Sequence, residues 1–389
     1  MRILHVTTYL QGGAGRAIVD LAIHQQRAGH RVIVVMDSGG QAGYASYPEY
    51  IEVLADVGVE LHAVRSTFTR DIPLNVDAAG ELSRLIGNRP IDVVHAHAAI
   101  PAMIARLACG SRATPIIVTM HGWGIAKTRD QARTDVTLLG LADVVVTPSA
   151  SLRARLQDLG VRQNALVVPY GIRAKSPKPI DNGDAAMLST IRSRGGRIAM
   201  CIGTIGERKN QRLLVRALSG DGCESVHAVF IGDGESSPLA AEAADLDLDD
   251  RVHVLGYRPD ASRYLQHADV LVLPSRDEGL PLVVLEALRE GIPVIASDIP
   301  EIVEAIGGGR FGFVFASGSA AALADALDRA LSLDVFDRAT LAGEQRRRWE
   351  QRHRLEHMVA AYDDIYAAQS VARAPRVSLK DRIAIGRPA

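Results

Sequence analysis

Cysteine is scarce in this 389-residue chain: only Cys109, Cys201 and Cys223 are present, widely spaced and odd in number. They can build neither a disulfide framework nor a metal cluster, and such usage fits a reducing cytosol. An excess of charge is missing too. Lys and Arg number 44 against 45 Asp and Glu, a formal net charge of -1, so composition makes no electrostatic case for nucleic-acid binding. No run approaches the roughly 20 apolar residues of a membrane span. The opening residues MRILHVTTYLQGG have neither the apolar segment nor the small-residue cleavage site of a secretion signal. A cytoplasmic protein is the expectation. Low-complexity tracts and repeats below the size of a domain are also lacking.

What is present is enough apolar material for two cores. Hydrophobic residues make up 47% of the chain and charged residues 23%, and the length suits two domains. Short Val- and Ile-rich runs alternate with helical patterns, the mark of βα units on a parallel sheet. In the first half these runs are RILHVTT, RVIVVMD, VELHAV, IDVVHAH, PIIVTMH, DVVVTPS and ALVVPYG. The same rhythm restarts with RIAMCIG, HAVFIGDG, RVHVLGY, DVLVLPS and PVIASD. Between the halves, PYGIRAKSPKPIDNGD is rich in Pro, Gly and charge and has no period, as a linker would. The expected architecture is α/β, with two doubly wound Rossmann-like domains and a ligand cleft between them at the carboxyl ends of the strands. The boundaries are residues 1–172, a linker at 173–184, a second domain at 185–365 whose last helix is free to pack back on the first, and a basic tail at 366–389. GEQRRRWEQRHRLEHMVAAYDDIYAAQS reads as one long amphipathic helix before that tail.

Three stretches can carry chemistry. GGAGR, residues 12–16, lies between a strand and a helix, where backbone N–H groups and the helix dipole can hold a phosphate. Gly13, Gly15 and, about 22 residues on, Asp37 also begin a dinucleotide fingerprint, but Ile18 stands where the third glycine belongs. GTIGERKN, residues 203–210, places Arg208 and Lys209 beside another helix start, a diphosphate clamp in outline. Strand ends of one sheet lie side by side, so these two cations, Gly232 to Gly234 and Glu278 are expected on one rim. In EGLPLVVLEAL, Glu278 and Glu286 stand eight positions apart, about 12 Å along a helix at 1.5 Å per residue. That spacing matches the reach from a sugar across a diphosphate to a ribose. Glu286 has apolar neighbours and needs a partner, which ribose hydroxyls would supply; a pair of surface acids is the plainer alternative.

EGLPLVVLEAL resembles the E-x7-E element of the family-4 retaining glycosyltransferases, which have the GT-B fold. GGAGRAIVDLA, DVVHAH, VTMHG, VVPYGI, GTIGERKNQRLLVRAL, FIGDG, DVLVLPS and GIPVIASDIPEIVE are similar to further elements of that family, in family order, over about residues 1–365. The resemblance implies an acceptor-binding N-terminal domain and a C-terminal domain that holds a nucleotide-sugar donor. It implies that Lys209 grips the donor diphosphate, Glu278 sits beside the donor sugar, Glu286 binds ribose and His121 lies by the reacting sugar. Gly13 and Gly15, Thr204, Gly232, Gly234, Gly279 and Leu280 complete the donor-binding set it implies. One departure is visible: the family often has Arg where this chain has Thr204, and Arg208 is read as the second cation of the clamp.

The function so implied is a retaining, metal-independent transfer of a sugar, from a uridine diphosphate sugar by family habit, to a hydroxyl acceptor in glycan or glycolipid synthesis. The donor is a substrate, and no cofactor is expected. The acceptor, a saccharide or a lipid-linked saccharide, is not legible, although STFTRDIPLN, residues 66–75, is a candidate acceptor loop. Arg-bearing helices such as SLRARLQDLG leave peripheral membrane contact open. A GT-B sugar-nucleotide epimerase, a non-catalytic partner subunit and a nicotinamide dehydrogenase remain as alternatives. His95 and His97 point to one face of a strand, as zinc ligands do, but the sequence shows no third ligand near them.

Overall fold

Apolar runs of three to seven residues form the strands of two wholly parallel sheets. The structure is a computed structural model that describes the chain apart from residues 40–44, 67–69, 88, 111–112, 125–126, 163–164, 175–178 and 373–389. The first sheet contains β1 (Arg2–Val6), β2 (Arg31–Asp37), β3 (Glu60–Val64), β4 (Val93–Ala96), β5 (Ile116–Thr119), β6 (Val144–Thr147) and β7 (Ala165–Val167), in the order β3-β2-β1-β4-β5-β6-β7. The second contains β8 (Arg197–Ile202), β9 (Val226–Ile231), β10 (Val252–Gly256), β11 (Val270–Leu273), β12 (Val294–Ser297) and β13 (Phe313–Phe315), in the order β10-β9-β8-β11-β12-β13. β4, β5, β6, β11 and β12 are buried along their whole length. Helices therefore cover both faces, as an all-parallel sheet requires.

Strand order reverses between β1 and β4 in one sheet and between β8 and β11 in the other. In doubly wound sheets, ligands bind outside the carboxyl ends of the strands at these points. The two reversal points face each other. One apolar cluster joins the halves, running from Ile3, Val93 and Ile117 through Tyr170 and Ile172 to Leu285, Leu288 and Tyr362.

The twelve expected strands all form, and β13 is added. Only three residues long between Gly312 and Gly318, it is too short to show an alternation. The long terminal helix is instead two helices, Val335–Arg352 and Leu355–Ala372. The break at His353–Arg354 lets the chain pair with the end of the first domain: Ile172 N–H donates to the His353 carbonyl (2.9 Å) and Leu355 N–H to the Ile172 carbonyl (3.1 Å). His353 Nδ1 is also 3.1 Å from the Tyr170 carbonyl. The second helix then returns to the first sheet, where Tyr366 Oη bonds His95 Nδ1 and Tyr362 Oη bonds Thr119. Residues 366–372, assigned above to the tail, are the end of this helix; the rest of the tail lies outside the described residues. The linker's last residues likewise belong to a helix, Asn182–Ser193, capped by Asp181. Among the described residues, no helix is long and apolar enough to cross a membrane.

Candidate functional site

Between the sheets lies a cleft of ≈ 480 Å³ lined from both domains. The first domain supplies the opening turn of the helix Gly12–Arg27, with Gly12, Gly13, Ala14 and Arg16 facing the cleft, and also His121 and Tyr170. The second supplies Thr204, Arg208, Lys209, Gly232, Glu278, Gly279, Leu280 and Glu286. First-turn N–H groups of a helix have no partner within it and carry the positive end of the dipole. An anion between Gly13 and Lys209 would meet amides on one side and an ammonium on the other.

The cations stand where two loops are stitched together. Asn210, at φ 54°, ends the turn after β8, and its amide donates to the Pro274 carbonyl (3.2 Å). Arg276 N–H donates to the Arg208 carbonyl (2.8 Å). Lys209 Nζ thereby lies 2.6 Å from Glu278 Oε1, and Arg208 Nη1 lies 3.4 Å from Glu278 Oε2. Ser275 Oγ donates to the same carboxylate at 2.7 Å. Burial alone would push the Glu278 carboxyl up, but Lys209, Arg208 and these hydrogen bonds hold it below the usual carboxylate range. Glu278 thus keeps both cations aimed at one place.

Glu286 is in the opposite situation. It is on the helix Leu282–Glu290, whose other cleft-side residues Leu282 and Val283 are apolar and buried. Burial raises its carboxyl to about 7, against the pull of Arg16 and Arg289 and with the help of Asp260 and Asp20. Among the described residues it has no ion pair within 4 Å to match that of Glu278. Arg16 itself is held by Asp20 (3.1 Å).

Aromatic residues from both domains complete this end. Tyr47 Oη donates to Asp233 Oδ2 across the cleft (3.1 Å), and its ring centroid lies 5.1 Å from that of Tyr257. Tyr50 Oη donates to the Gly12 carbonyl (3.3 Å). At the other end the domains touch backbone to backbone. A Cβ on Gly279 would collide with the His121 carbonyl, and one on Gly122 would come within 3.7 Å of the Gly279 backbone. The structure is therefore a closed arrangement.

Of the twelve residues expected in the site, ten line this one hollow. Gly15 and Gly234 do not. Gly15 is buried against the Leu10 backbone, and Gly234, at φ 115°, pairs with Ile205. Both shape the turns from behind. Asp37 is not in the cleft either; its carboxylate accepts from Gly39 N–H (3.1 Å). Of residues 66–75, Thr67, Phe68 and Thr69 lie outside the described residues, and none of the others lines the cleft. Arg155, in the helix read as a membrane candidate, pairs with Asp277 across the domains at 3.2 Å.

Sequence reading missed Arg16, Tyr47, Tyr50, Asp260 and Tyr170 as cleft residues. Arg16 and Tyr170 lie inside the stretches GGAGR and VVPYGI without having been singled out there; the others come from segments with no pattern of their own. It also missed the third histidine. His5, on β1, brings its ligand atoms within 4.8 Å of those of His95 and His97. All six ring nitrogens of this trio are hydrogen-bonded, to one another or to Gln25, Thr119, His121 and Tyr366. A metal ion there would have to displace those bonds.

Comparisons with known proteins bear on the whole chain. A family described as Glycosyltransferase Family 4 matches residues 11–175, and one described as Glycosyl transferases group 1 matches residues 196–333. Among curated proteins, the chain is similar to the UDP-Gal:alpha-D-GlcNAc-diphosphoundecaprenol alpha-1,3-galactosyltransferase of Escherichia coli. They are 27% identical over 60% of this chain and 65% of that protein. It is also similar to the putative teichuronic acid biosynthesis glycosyltransferase TuaC of Bacillus subtilis, at 29% over 61% of each. These two matches each span somewhat less than two thirds of the relative's length. The phosphatidyl-myo-inositol mannosyltransferase of Mycobacterium leprae is 24% identical over 88% of this chain and 91% of its own. Among solved structures, Anabaena HepE in complex with UDP and glucose superposes with a TM-score of 0.78 at 19% identity, over 95% of this chain and all of that one. Sucrose-phosphate synthase from Thermosynechococcus elongatus gives 0.79 at 17%, over 96% and 100%. The fold is GT-B.

Proposed function

The chain belongs to the family-4 type of glycosyltransferase, and from that premise we propose that it moves a sugar from a uridine diphosphate sugar to a hydroxyl acceptor, with retention and without a metal, in glycan or glycolipid synthesis. One observation carries the reading: a single hollow holds Lys209, Arg208 and Glu278 at one end and Glu286 at the other, opposite the first turn of the helix Gly12–Arg27. The diphosphate lies between the cations and that turn, the transferred sugar beside Glu278, and the ribose at Glu286. Uridine is favoured by the nucleotide named for the E. coli relative and for the HepE complex.

Chemistry follows from the charges. The bond from the anomeric carbon to the diphosphate breaks, and its electron pair passes to the leaving phosphate oxygen. Lys209, Arg208 and the helix-turn amides stabilise that growing negative charge, the role elsewhere given to a divalent ion. The acceptor oxygen bonds the anomeric carbon on the face just vacated, and its proton passes to the departing phosphate. Closure of the Gly122–Gly279 contact keeps water out of the step. Two relatives have lipid-linked or lipid molecules in their names, a diphosphoundecaprenol and a phosphatidyl-inositol. They favour a cytoplasmic enzyme that meets its acceptor peripherally at a membrane.

Release of UDP from UDP-sugars in the presence of an acceptor extract tests the activity. Lys209→Ala should slow it roughly 100-fold or more with the fold intact. Near-normal turnover in a folded Lys209→Ala chain would refute the clamp.

A further inference from the structure

Behind the cleft the first domain holds a continuous hydrogen-bonded chain. It begins at Gln25, which is fully buried in the helix Gly12–Arg27. Gln25 Oε1 lies 2.8 Å from His5 Nε2, His5 Nδ1 lies 3.0 Å from His97 Nε2, and His97 Nδ1 lies 3.1 Å from His121 Nε2. The chain ends with His121 Nδ1 bonded to Tyr170 Oη. β1, β4 and β5 are neighbours in the sheet, so His5, His97 and His121 step along its carboxyl rim towards the cleft.

Burial keeps all three imidazoles neutral, with His5 and His121 pushed down to about 4 and His97 well below its usual value. A neutral imidazole has one N–H and one acceptor nitrogen. With the Gln25 amide oxygen turned towards His5, that oxygen accepts and His5 carries its proton on Nε2. His5 Nδ1 must then accept from His97 Nε2–H, and His97 Nδ1 from His121 Nε2–H. His121 Nδ1 is left as an acceptor, and Tyr170 donates to it. Both ring nitrogens of His121 are thereby engaged. Tyr170 Oη, its proton turned inward, has only lone pairs left for a ligand. Tyr170 and His121 line the cleft, and the His121 backbone touches the Glu278–Gly279 loop.

We propose that Tyr170 Oη accepts a hydrogen bond from a hydroxyl of the transferred sugar, and that Gln25, His5 and His97 are positioning residues that keep the Tyr170 proton turned away from it. The inference rests on the function proposed above. Two measurements test it. Nitrogen-15 correlation spectra of the histidine side chains should show His5, His97 and His121 as Nε2–H tautomers; an Nδ1–H tautomer at His121 overturns the polarity. Calorimetry on the full chain with UDP, UDP-glucose and UDP-galactose then reads the contact. Tyr170→Phe should leave UDP affinity within about twofold and weaken the better-bound UDP-sugar about fivefold, the usual effect of one lost neutral hydrogen bond. Gln25→Leu, at the far end, should give the same split with a smaller loss. If UDP and the UDP-sugar bind Tyr170→Phe as they bind the parent chain, this inference alone fails. If no uridine nucleotide binds the parent chain, the proposed function fails first and this inference with it.

Discussion

Two carboxylates on one wall of the cleft are driven in opposite directions by their surroundings. Glu278 has two cations and a serine hydroxyl within hydrogen-bonding reach and stays ionised. Glu286 has apolar neighbours and holds its proton up to about 7, against an ordinary value of 4.5. Between those two pH values the folded state binds a proton that the unfolded chain has released. The stability linked to Glu286 is therefore present below pH 4.5 and is lost as pH rises through 7. Ligand binding should run the other way. A carboxylate that accepts from both ribose hydroxyls must be ionised, so affinity for UDP should rise about tenfold from pH 6 to pH 8, following the ionised fraction. Calorimetry across that range checks it, with Glu286→Gln expected to bind weakly and without the pH slope. An equal slope in Glu286→Gln would remove the ribose from Glu286. This residue was legible from its spacing to Glu278 alone. Arg16, which faces it from the other domain, was not, because nothing in the sequence records a contact across 270 positions.

Elements were the easiest scale to read, because a buried parallel strand leaves a run of Val and Ile that little else produces. The exceptions have physical causes. The terminal helix breaks because residues 353 and 355 bond Ile172, at the end of the first domain, a partner about 180 residues away. Another junction between elements was equally hidden. The helix Ala150–Asp158 has its own cap, Ser149, whose Oγ accepts from Leu152 N–H. Glu304, from the second domain, takes the remaining first-turn groups: Ala150 N–H at 2.9 Å, Ser151 N–H at 2.8 Å and Ser151 Oγ at 2.7 Å. A carboxylate at a helix N-terminus is favoured by the dipole, and here it fastens one domain to the other. Glu304→Ala should cost about 1 kcal/mol, the typical loss of a cap. Chemical denaturation would show it as an earlier separation of the two halves' transitions. Unchanged, coincident transitions would mean the clamp contributes nothing.

At the scale of the molecule, the two reversal points of the sheets become one site only when the domains meet. Beside the Glu304 clamp and the shared apolar cluster, the cleft itself is held by Tyr47 with Asp233 and Tyr257, Arg155 with Asp277, and the glycine-lined approach of Gly279 to His121. The last is the narrowest, since any side chain at 279 would occupy the place of the His121 carbonyl. Gly279 is therefore required for what it lacks, whatever it contributes to holding a donor. It also lies beside Glu278, so a domain held back at this point moves the Glu278 carboxylate away from His121 and Tyr170 together. Gly279→Ala should fold, because the obstruction exists only between domains. It should still bind UDP through Lys209 and Glu286 within about threefold, yet turn over roughly 100-fold more slowly, the scale of loss when reacting groups are displaced by about an ångström. Small-angle scattering with UDP present reads the geometry directly: the parent chain contracts to the closed dimensions and Gly279→Ala remains larger. A Gly279→Ala chain that contracts as the parent does, with undiminished turnover, would show that catalysis does not need this contact.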